Sequence, residues 1–578
     1  MENKDLKAVA KEAAYWVADV LMRDNKNFRD KEVDSNLVLA AYLIYQLKLS
    51  GKPQDLSLEE VLQELELSEE IKAKAKERFC NNFWRACMYR VHSFEAEVFR
   101  EIIDNYSEYV RTNSRDNTPD SVVHLGTKLL QLKSGDRVAD ICSGAGNFLL
   151  RAAELGAAEC QGFEIDATAI ERCQLRAAVQ QKEVKVQQVD VVDLLCKYGK
   201  GKTVDLSFNK IFAEVPLGLK VREAVNNLTA ADLGEFSWLL KRGSSFCWLV
   251  AYLSMQMLAP RGRVVLITDN GACFNRVDKV VREYFLDRGW LEAVISLPNR
   301  LLTGTSVGVT AIVLSRGNEE VRMVNAEELF QKGRRQNELS EVNVFEILRR
   351  CAINDEHSML VTREVLKANE IALSPNRYLF PMEEFENGVK LEQLVVRFKR
   401  STPLTASQMD SLNSEEHTGL RCIRLVDIQD GVVQENPPFM KPLNRKYDQY
   451  LLKDDDLIIS KFGLPSRMAI VKVKPGEEWV MTGNMYALEF DQTKVNPYYV
   501  KAFLESEVGA KALASVTTDA SVPVLSLDLL KTLQLPVPSM EEQERVAARY
   551  LVAAEKVREL QQKLREAMEQ LGKVFEEK

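Results

Sequence analysis

Residues 137–150 constrain the fold of this chain more than any other stretch. Residues 138–141 are apolar except for Asp140, which predicts the end of a buried parallel strand. Residues 143–146 read Ser-Gly-Ala-Gly and predict a tight turn, and residues 148–154 predict the first turns of a helix. A strand, a glycine turn and a helix in this order indicate one unit of an open α/β sheet.

The glycine turn indicates which ligand this unit suits. In open α/β sheets, ligands bind beyond the carboxyl ends of the strands. A dinucleotide-binding turn would need a third glycine, and Leu149 occupies that position. An acid followed by a short Gly-x-Gly suits a ligand without a pyrophosphate, such as S-adenosylmethionine. Asp140 would then bind the ammonium group, and the turn at Ser143, Gly144 and Gly146 would let the backbone approach the methionine portion.

Two further acids follow predicted strands. Residues 159–165 are a second strand candidate that contains Glu164, about twenty residues on, where an acid binds the ribose hydroxyls. Residues 184–189 are a third candidate, and they precede Asp190, whose side chain can meet the adenine amino group. Acids at three successive strand ends predict a cofactor site, whereas each one alone is compatible with an ordinary strand, turn and helix.

Composition and charge narrow the class of protein. The net charge is −8, so any DNA contact would have to come from local basic patches. Ten cysteines without a Cys-x-x-Cys pair and only four histidines argue for reduced thiols and against zinc, so no metal is expected. No apolar run approaches the roughly 20 residues of a membrane span, and residues 1–4 begin no signal peptide. These features predict a cytoplasmic protein without a membrane segment.

The apolar pattern divides the chain into regions. Residues 1–110 carry apolar residues at helical spacing and predict a helical domain. Thr118 and Pro119 predict the start of the helix before the first strand. From 137 to about 320, strands alternate with helices, which predicts a doubly wound sheet. Seven strands are expected, namely the three above and residues 210–215, 263–268, 293–297 and 310–314.

The fourth predicted strand ends in Ala213-Glu214-Val215-Pro216-Leu217-Gly218, and here the chain resembles a known family. It is similar to the modification subunits of type I restriction-modification systems, the N6-adenine DNA methyltransferases, which read Asn-Pro-Pro-Phe-Gly at this place. The resemblance implies a Rossmann-like, seven-stranded methyltransferase sheet in residues 111–385, with S-adenosylmethionine as cofactor and Thr118 in the opening cofactor segment. Further matching motifs, in the family's order, are Asn117-Thr118-Pro119, Gly135 to Asp140, Gly262 to Gly271, Ile295 to Pro298, Thr303-Gly304-Thr305 and Asn376-Arg377-Tyr378.

The chain departs from this family at the site of methyl transfer. In such enzymes the target adenine is flipped out of the duplex, the Asn side chain accepts a hydrogen bond from its amino group, and the aromatic ring stacks on the base. Glu214, Val215 and Leu217 replace Asn, the first Pro and Phe, while Pro216 is kept. Glu214 can accept a hydrogen bond but carries a charge, and Leu217 cannot stack. Two interpretations stay open: methyl transfer at a base site lined by these residues, or an inactive homologue that binds S-adenosylmethionine and DNA as a recognition or regulatory scaffold.

Residues 386–540 resemble a target-recognition domain from the specificity subunits of the same systems. The supporting motifs are Asp455 to Lys461, Pro497-Tyr498-Tyr499-Val500 and Leu535 to Pro538. The resemblance implies an α+β domain that contacts double-stranded DNA, with Lys441, Lys461 and Arg467 as candidate contacts. Each of these three is also compatible with a solvated basic residue. Such a domain disfavours a third interpretation, a methyltransferase for RNA or protein. Residues 436–439, Asn-Pro-Pro-Phe, lie outside the predicted sheet and are interpreted as a turn.

Residues 541–578 predict one long helix of coiled-coil type. Its apolar residues alternate at spacings of four and three, namely Val546, Tyr550, Ala553, Val557, Leu560, Leu564, Ala567, Leu571 and Val574. The helix could pack on its own protein. Pairing is preferred, because a whole specificity subunit carries two recognition domains separated by paired helices, and this chain has one. The resemblance thus implies a homodimer that reads a two-part DNA site, with a restriction or other defence subunit as a further candidate partner.

Overall fold

The chain, described here from a computed structural model, divides into two compact units, Met1–Leu373 and Ser374–Lys578. The predicted regions 1–110, 111–385, 386–540 and 541–578 are finer than this division and stay a prediction. The structure describes residues 3–24, 30–109, 117–198, 207–221, 243–333, 336–379, 385, 388–404, 406–434, 436–463, 466–518 and 524–573.

The first unit begins with a region of packed helices, as the apolar spacing predicts. The helices are α1 (Asn3–Asp24), α2 (Asp30–Leu49), α3 (Leu58–Glu64), α4 (Glu69–Arg78), α5 (Asn81–Val91), α6 (Ala96–Asp104) and α7 (Tyr106–Tyr109). Ser57 and Ser68 cap α3 and α4, because each side chain accepts a hydrogen bond from a backbone N–H of the first turn. The apolar faces share one core, in which Trp84 and Phe99 are fully buried.

A nine-stranded sheet forms the centre of the first unit. Its strands are β1 (Arg137–Ile141), β2 (Glu159–Glu164), β3 (Lys185–Gln188), β4 (Phe208–Glu214), β5 (Leu258–Asp269), β6 (Leu291–Ser296), β7 (Val309–Leu314), β8 (Glu320–Asn325) and β11 (Ser358–Thr362), while β9 (Gln331–Lys332) and β10 (Asn337–Glu338) form a separate hairpin. The order is β11-β8-β6-β7-β5-β4-β1-β2-β3. β7 runs antiparallel to β5 and β6, and β11 runs antiparallel to β8. The Rossmann-like fold is confirmed, and β8 and β11 extend the sheet beyond the seven predicted strands.

The helices between these strands pack on the sheet through a few large side chains. They are α8 (Asp120–Leu129), α9 (Asn147–Glu154), α10 (Ala167–Gln180), α11 (Val191–Tyr198), α12 (Phe246–Met257), α13 (Gly271–Phe274), α14 (Lys279–Asp287), α15 (Glu341–Ala352) and α16 (Arg363–Ala368), with a 3₁₀ turn at Arg276–Asp278. Phe148 of α9 stacks on Phe212 of β4 with ring centroids 4.3 Å apart. Gly126 of α8 faces the same ring, and a Cβ there would lie 2.6 Å from Phe212 Cε2.

Helix α10 joins the sheet to the helical region. Its Glu171 is buried, accepts two hydrogen bonds of 2.8 Å from Arg78 and lies 3.3 Å from the ammonium group of Lys74. Leu175 of the same helix and Ala145 of the glycine turn belong to the core of the helical region. The helical region therefore buttresses the turn that follows β1.

The second unit contains two four-stranded sheets, which agrees with the mostly β pattern from residue 390. The strands of this unit are β12 (Gly388–Lys390), β13 (Val395–Arg400), β14 (Asn413–Ser414), β15 (Leu420–Ile423), β16 (Ile428–Gln429), β17 (Val432–Val433), β18 (Phe439–Met440), β19 (Leu457–Ser460), β20 (Met468–Ile470), β21 (Glu478–Met481), β22 (Met485–Phe490), β23 (Thr517–Thr518), β24 (Val524–Leu525) and β25 (Gln534–Pro536). The first four-stranded sheet has the order β13-β22-β19-β20, and the second has the order β14-β18-β15-β21. The interpretation of residues 436–439 as a turn is wrong for Phe439, which begins β18. The Arg421 Cζ lies 3.7 Å from the centroid of the Phe439 ring.

Several helices of the second unit pack on the core of the first of these two sheets. They are α17 (Asn376–Leu379), α18 (Leu391–Leu394), α19 (Ala406–Ser411), α20 (Pro497–Leu504), α21 (Glu507–Ser515), α22 (Leu527–Thr532) and α23 (Met540–Lys573), with 3₁₀ turns at Leu425–Asp427 and Arg445–Tyr450. Side chains of α18, α20, α21 and α22 contribute to that core. Asn496 caps α20, and Pro497 occupies its first turn, where the missing N–H costs nothing.

The long terminal helix α23 has the length that the apolar repeat predicts. Its first turns pack on the second unit: Ala547 is buried, and the Tyr550 hydroxyl hydrogen-bonds with Lys501 of α20. Farther along, Val557, Leu560 and Leu564 are more than half exposed. Val574, the last member of the predicted repeat, lies outside the described residues. Among the helices that the structure describes, none combines the length and apolar character needed to cross a membrane.

Candidate functional site

Four carboxylates converge at the carboxyl ends of β1 to β4. Asp140, Glu164, Asp190 and Glu214 each raise the pKa of the Cys142 thiol, after the larger effect of its burial. A single thiol can feel all four charges only if the four strand ends lie close to it. The three acids that the sequence assigned to the cofactor, and the one it assigned to the base site, are therefore brought together as predicted.

Asp140 is the most buried of these acids. It is 3% exposed, and burial raises its pKa well above the usual aspartate value, as do the nearby charges of Glu164 and Glu214. Asp140 Oδ1 has no hydrogen-bond partner among the described residues, and neither does the buried hydroxyl of Ser143. A buried acceptor without a partner costs free energy unless a ligand or water completes it. Both atoms are thus placed to receive a polar or cationic ligand.

The glycine turn depends on backbone conformations that favour glycine. Gly144 and Gly146 have φ values of +52° and +82°. Gly146 is the residue before α9, and it packs closely on α10. A Cβ at this position would lie 2.2 Å from Cys173 Sγ. Cys142 adopts a φ of +75°, which is unusual for a residue with a side chain and indicates a turn held by its surroundings.

Glu164 and Asp190 have structural partners that the sequence did not reveal. Glu164 Oε2 accepts a hydrogen bond of 2.8 Å from Gly144 N, which ties the glycine turn to β2. Its Oε1 accepts from the backbone N–H groups of Ile165 and Asp166 at 2.8 and 2.9 Å. Asp190 Oδ1 accepts from Val192 N at 2.8 Å at the start of α11. These bonds fix both carboxylates at the edge of the sheet.

Two residues that sequence reasoning missed hold the turn from behind. Arg176 of α10 is 6% exposed and donates to the Ala145 carbonyl at 2.8 Å and to the Asn147 side-chain oxygen. Asn147 in turn donates to the Thr118 carbonyl at 2.6 Å. Arg176 had no distinct signal in the sequence, because the same helix carries other charged residues, Glu171 and Arg172, that are also buried.

The residues assigned to the base site lie at and beyond the end of β4. Burial raises the pKa of Glu214 to about 7, against an opposing hydrogen bond from the Thr118 hydroxyl. Val215 N donates to Ile267 O of β5 at 2.9 Å, which extends the pairing of the two strands. Pro216 is exposed, whereas Leu217 is half-buried against the core of the sheet. The Leu217 side chain thus packs against the sheet.

The candidate DNA contacts all lie in the second unit but are not equally free. Lys461 Nζ donates to the Gly483 carbonyl at 2.7 Å and lies 4.8 Å from the Tyr486 ring centroid, and burial lowers its pKa. Arg467 is exposed, and its guanidinium donates to the Leu425 carbonyl at 3.2 Å. Lys441 is exposed after β18, a strand of the other sheet. In the described part of the chain, no cluster of three or more His, Cys, Asp or Glu side chains could hold a metal ion.

Two curated proteins are similar to part of this chain. The methylase subunit of the type I restriction enzyme MjaVII from Methanocaldococcus jannaschii is 27% identical over 161 residues, which are 26% of this chain and 28% of that protein. The methylase subunit of the type I restriction enzyme HindI from Haemophilus influenzae is 23% identical over 178 residues, which are 28% of this chain and 40% of that protein. The chain thus aligns with less than half the length of each relative.

Among solved structures, the type I restriction-modification methyltransferase subunit from Streptococcus thermophilus superposes with a TM-score of 0.50 at 17% identity. The match covers 63% of this chain and 98% of that one, and at this identity it supports the fold alone. The sequence profile of the N-6 DNA Methylase family matches residues 96–387, about half of the chain and the whole of the sheet. This chain therefore belongs to the N-6 DNA methylase family.

Proposed function

We propose that the protein is an S-adenosylmethionine-dependent DNA methyltransferase that modifies adenine N6 at a specific sequence, in a restriction-modification or phage-defence system. One observation carries the proposal: four carboxylates meet at the ends of adjacent strands, with Asp140 Oδ1 and Ser143 Oγ lacking partners among the described residues. A group of neighbouring carboxylates, one of them buried with an unpartnered oxygen, favours a cationic ligand. Membership of the N-6 DNA methylase family supports methyl transfer to an amino group of DNA as the chemistry.

The residues of the sheet edge fit S-adenosylmethionine. Asp140 would pair with its ammonium group, and Ser143 would complete that contact through its unpartnered hydroxyl. Gly144 and Gly146 keep the turn free of side chains where the ligand approaches. Glu164 would bind the ribose and Asp190 the adenine amino group, while Thr118 positions the neighbouring acid, Glu214. When bound, this cofactor supplies an electrophilic methyl group.

The base site in this proposal is formed by Glu214, Pro216 and Leu217. Glu214 accepts a hydrogen bond from the adenine amino group, in place of the family's asparagine. Pro216 is exposed at the mouth of the site, where it limits the backbone of the loop. Leu217 offers apolar contact in place of stacking, so we expect the flipped base to be held less tightly, by about 1–3 kcal/mol.

The second unit is proposed to be a target-recognition domain, equivalent to half of a specificity subunit fused to the methyltransferase. Arg467 and Lys441 are proposed to contact DNA phosphates or bases, because both residues are exposed. Lys461 is proposed to contribute mainly by positioning the β19–β20 hairpin, since its ammonium group is engaged with Gly483. The exposed apolar line on α23 is proposed to pair two copies, so that a homodimer reads a two-part site.

The test is a methylation assay with the purified full-length protein and genomic DNA from a host that lacks the gene. With labelled S-adenosylmethionine, we expect label on adenine N6 within one recurring sequence. Asp140→Asn should strongly lower incorporation at limiting cofactor, and Arg467→Ala with Lys441→Ala should lower it while cofactor affinity is kept. Tight binding of cofactor and DNA without incorporation, both by the purified protein and in lysate, would reject the enzyme and favour the scaffold interpretation. A requirement for an added restriction or defence subunit would appear as activity recovered in lysate but not in the purified protein.

A further inference from the structure

Resting on the proposed function, we propose that Glu214 is the proton acceptor in methyl transfer, and not only a substitute hydrogen-bond acceptor for the family's asparagine. An amide can accept a hydrogen bond but cannot take up a proton at neutral pH. A carboxylate can do both. The replacement would then change the chemistry of the site instead of only weakening it.

The backbone holds Glu214 at a fixed place. It is the last residue of β4, which lies between β1 and β5 in the sheet. It pairs with Ile267 of β5, and the next residue, Val215, continues that pairing through its N–H. The Thr118 hydroxyl donates to the Glu214 carboxylate and orients it. Residue 214 is half-buried, so the hydrogen bond from Thr118 restrains its carboxylate while part of the residue stays accessible.

The groups around Glu214 are acids, a thiol and a hydroxyl. On the β1 side, Asp140 and Cys142 lie close enough for the Glu214 charge to raise their pKa values, and the charges of Glu164 and Asp190 also raise the pKa of the Cys142 thiol. From the β5 side, Asp269 Oδ2 accepts a hydrogen bond of 3.2 Å from Gly218 N, in the loop after β4. No cationic group contributes to the ionisation of Glu214 among the described residues. Burial without a cation gives this carboxyl a pKa of about 7, so that its basic form is populated at neutral pH and still has a useful proton affinity.

In the proposed step, adenine N6 gains a methyl group and gives up one proton. The adenine N6 lone pair forms a bond to the methyl carbon as the bond between that carbon and the sulfonium sulfur breaks. The sulfur leaves as a neutral thioether, and the positive charge passes to N6. N6 then loses one of its two protons to the Glu214 carboxylate, which becomes a neutral acid and later releases the proton to solvent. A charged acceptor beside N6 also stabilises the positive charge as it develops there.

The experiment compares the full-length wild type with Glu214→Gln, Glu214→Asp and, as a matched surface control, Glu154→Gln. Single-turnover methylation is measured from pH 5.5 to 8.5 at saturating cofactor. The wild type should gain activity with pH through one ionisation at or below about 7, because the cationic sulfonium favours the ionised carboxylate. Glu214→Gln keeps the shape but not the basicity, so we expect a rate at least 100-fold lower and independent of pH. Glu214→Asp should be slower but should keep the pH dependence.

A second readout does not depend on activity. Calorimetric titration of S-adenosylmethionine in two buffers of different ionisation heat counts the protons released on binding. Between pH 6 and 7.5 we expect the wild type and Glu154→Gln to release more protons than Glu214→Gln, which keeps only the contribution of Asp140, whose pKa is also raised. Methylation by Glu214→Gln at the wild-type rate, or equal proton release in both proteins, would overturn the role of Glu214. Absence of methylation in every variant that still binds cofactor would instead overturn the proposed function.

Discussion

At the scale of single residues, Gly146 couples the glycine turn to the helix behind it. Its φ of +82° favours glycine, and an added Cβ would lie only 2.2 Å from Cys173 Sγ, which leaves no room for it. Gly135, in the loop before β1, has a similar φ of +87° but no described atom within 4 Å of its Cβ position. Both glycines have a backbone conformation that strains other residues, whereas only Gly146 is also crowded.

We predict that Gly146→Ala destabilises the first unit by about 2–5 kcal/mol and weakens cofactor binding, because strain and overpacking add. Gly135→Ala should cost only about 1–2 kcal/mol and leave the affinity unchanged. Thermal unfolding and cofactor titration of both variants provide the check. Equal effects of the two substitutions would show that crowding against Cys173 is unimportant.

Residues differ in how far the sequence could predict them. Asp140, Glu164 and Asp190 could be predicted to meet, because the carboxyl ends of parallel strands share one edge of a sheet. The additional role of Glu164, accepting a hydrogen bond from Gly144, depends on the exact conformation of the turn. The packing of Leu217 against the sheet core depends on the loop after β4 and has no local signal.

At the scale of secondary-structure elements, α10 connects the cofactor turn with the helical region. One helix places Arg176 under the turn and Glu171 against Arg78 of α4. Neither contact could be predicted from the sequence, because both partners are distant along the chain. The strands β8 and β11 were not predicted, because β8 mixes polar and apolar residues and β11 pairs only at the edge of the sheet.

We predict that Arg176→Met lowers the affinity for S-adenosylmethionine at least tenfold. The substitution leaves the buried Ala145 carbonyl and the Asn147 side chain without their donor, which costs about 1–3 kcal/mol and loosens the turn. Arg151→Met is the matched control, since Arg151 is partly exposed and pairs only with Glu154 among the described residues. Calorimetry on both variants checks the difference, and an unchanged affinity for Arg176→Met would contradict the positioning role.

At the scale of the whole molecule, the terminal helix is the element available for assembly. Val557, Leu560 and Leu564 are 51%, 57% and 61% exposed at coiled-coil spacing. Exposed apolar residues in such a line are costly in water and are typical of an interface. The repeat was readable from the sequence, but the division into a packed first part and an exposed second part was not.

We predict that the protein is a dimer of about twice 65.6 kDa and that Val557→Glu with Leu560→Glu and Leu564→Glu makes it a monomer. Charges at these positions would have to be buried without partners in the pair. The control replaces Glu559, Gln562 and Glu566, which lie on another face of the same helix, by serine. Sedimentation equilibrium gives the masses, and a monomeric wild type would exclude pairing through α23.

The central claim is that the acidic ends of β1 to β4 form a site for S-adenosylmethionine. Its most direct test is calorimetric titration of this ligand into the intact protein, with Asp140→Asn and, as control, Asp193→Asn at an exposed position of α11. We predict one site per chain, an affinity lowered about 10–100-fold by Asp140→Asn because a charge-assisted hydrogen bond is lost, and no effect of the control. Absence of binding by the wild type, or unchanged binding by Asp140→Asn, would contradict the account.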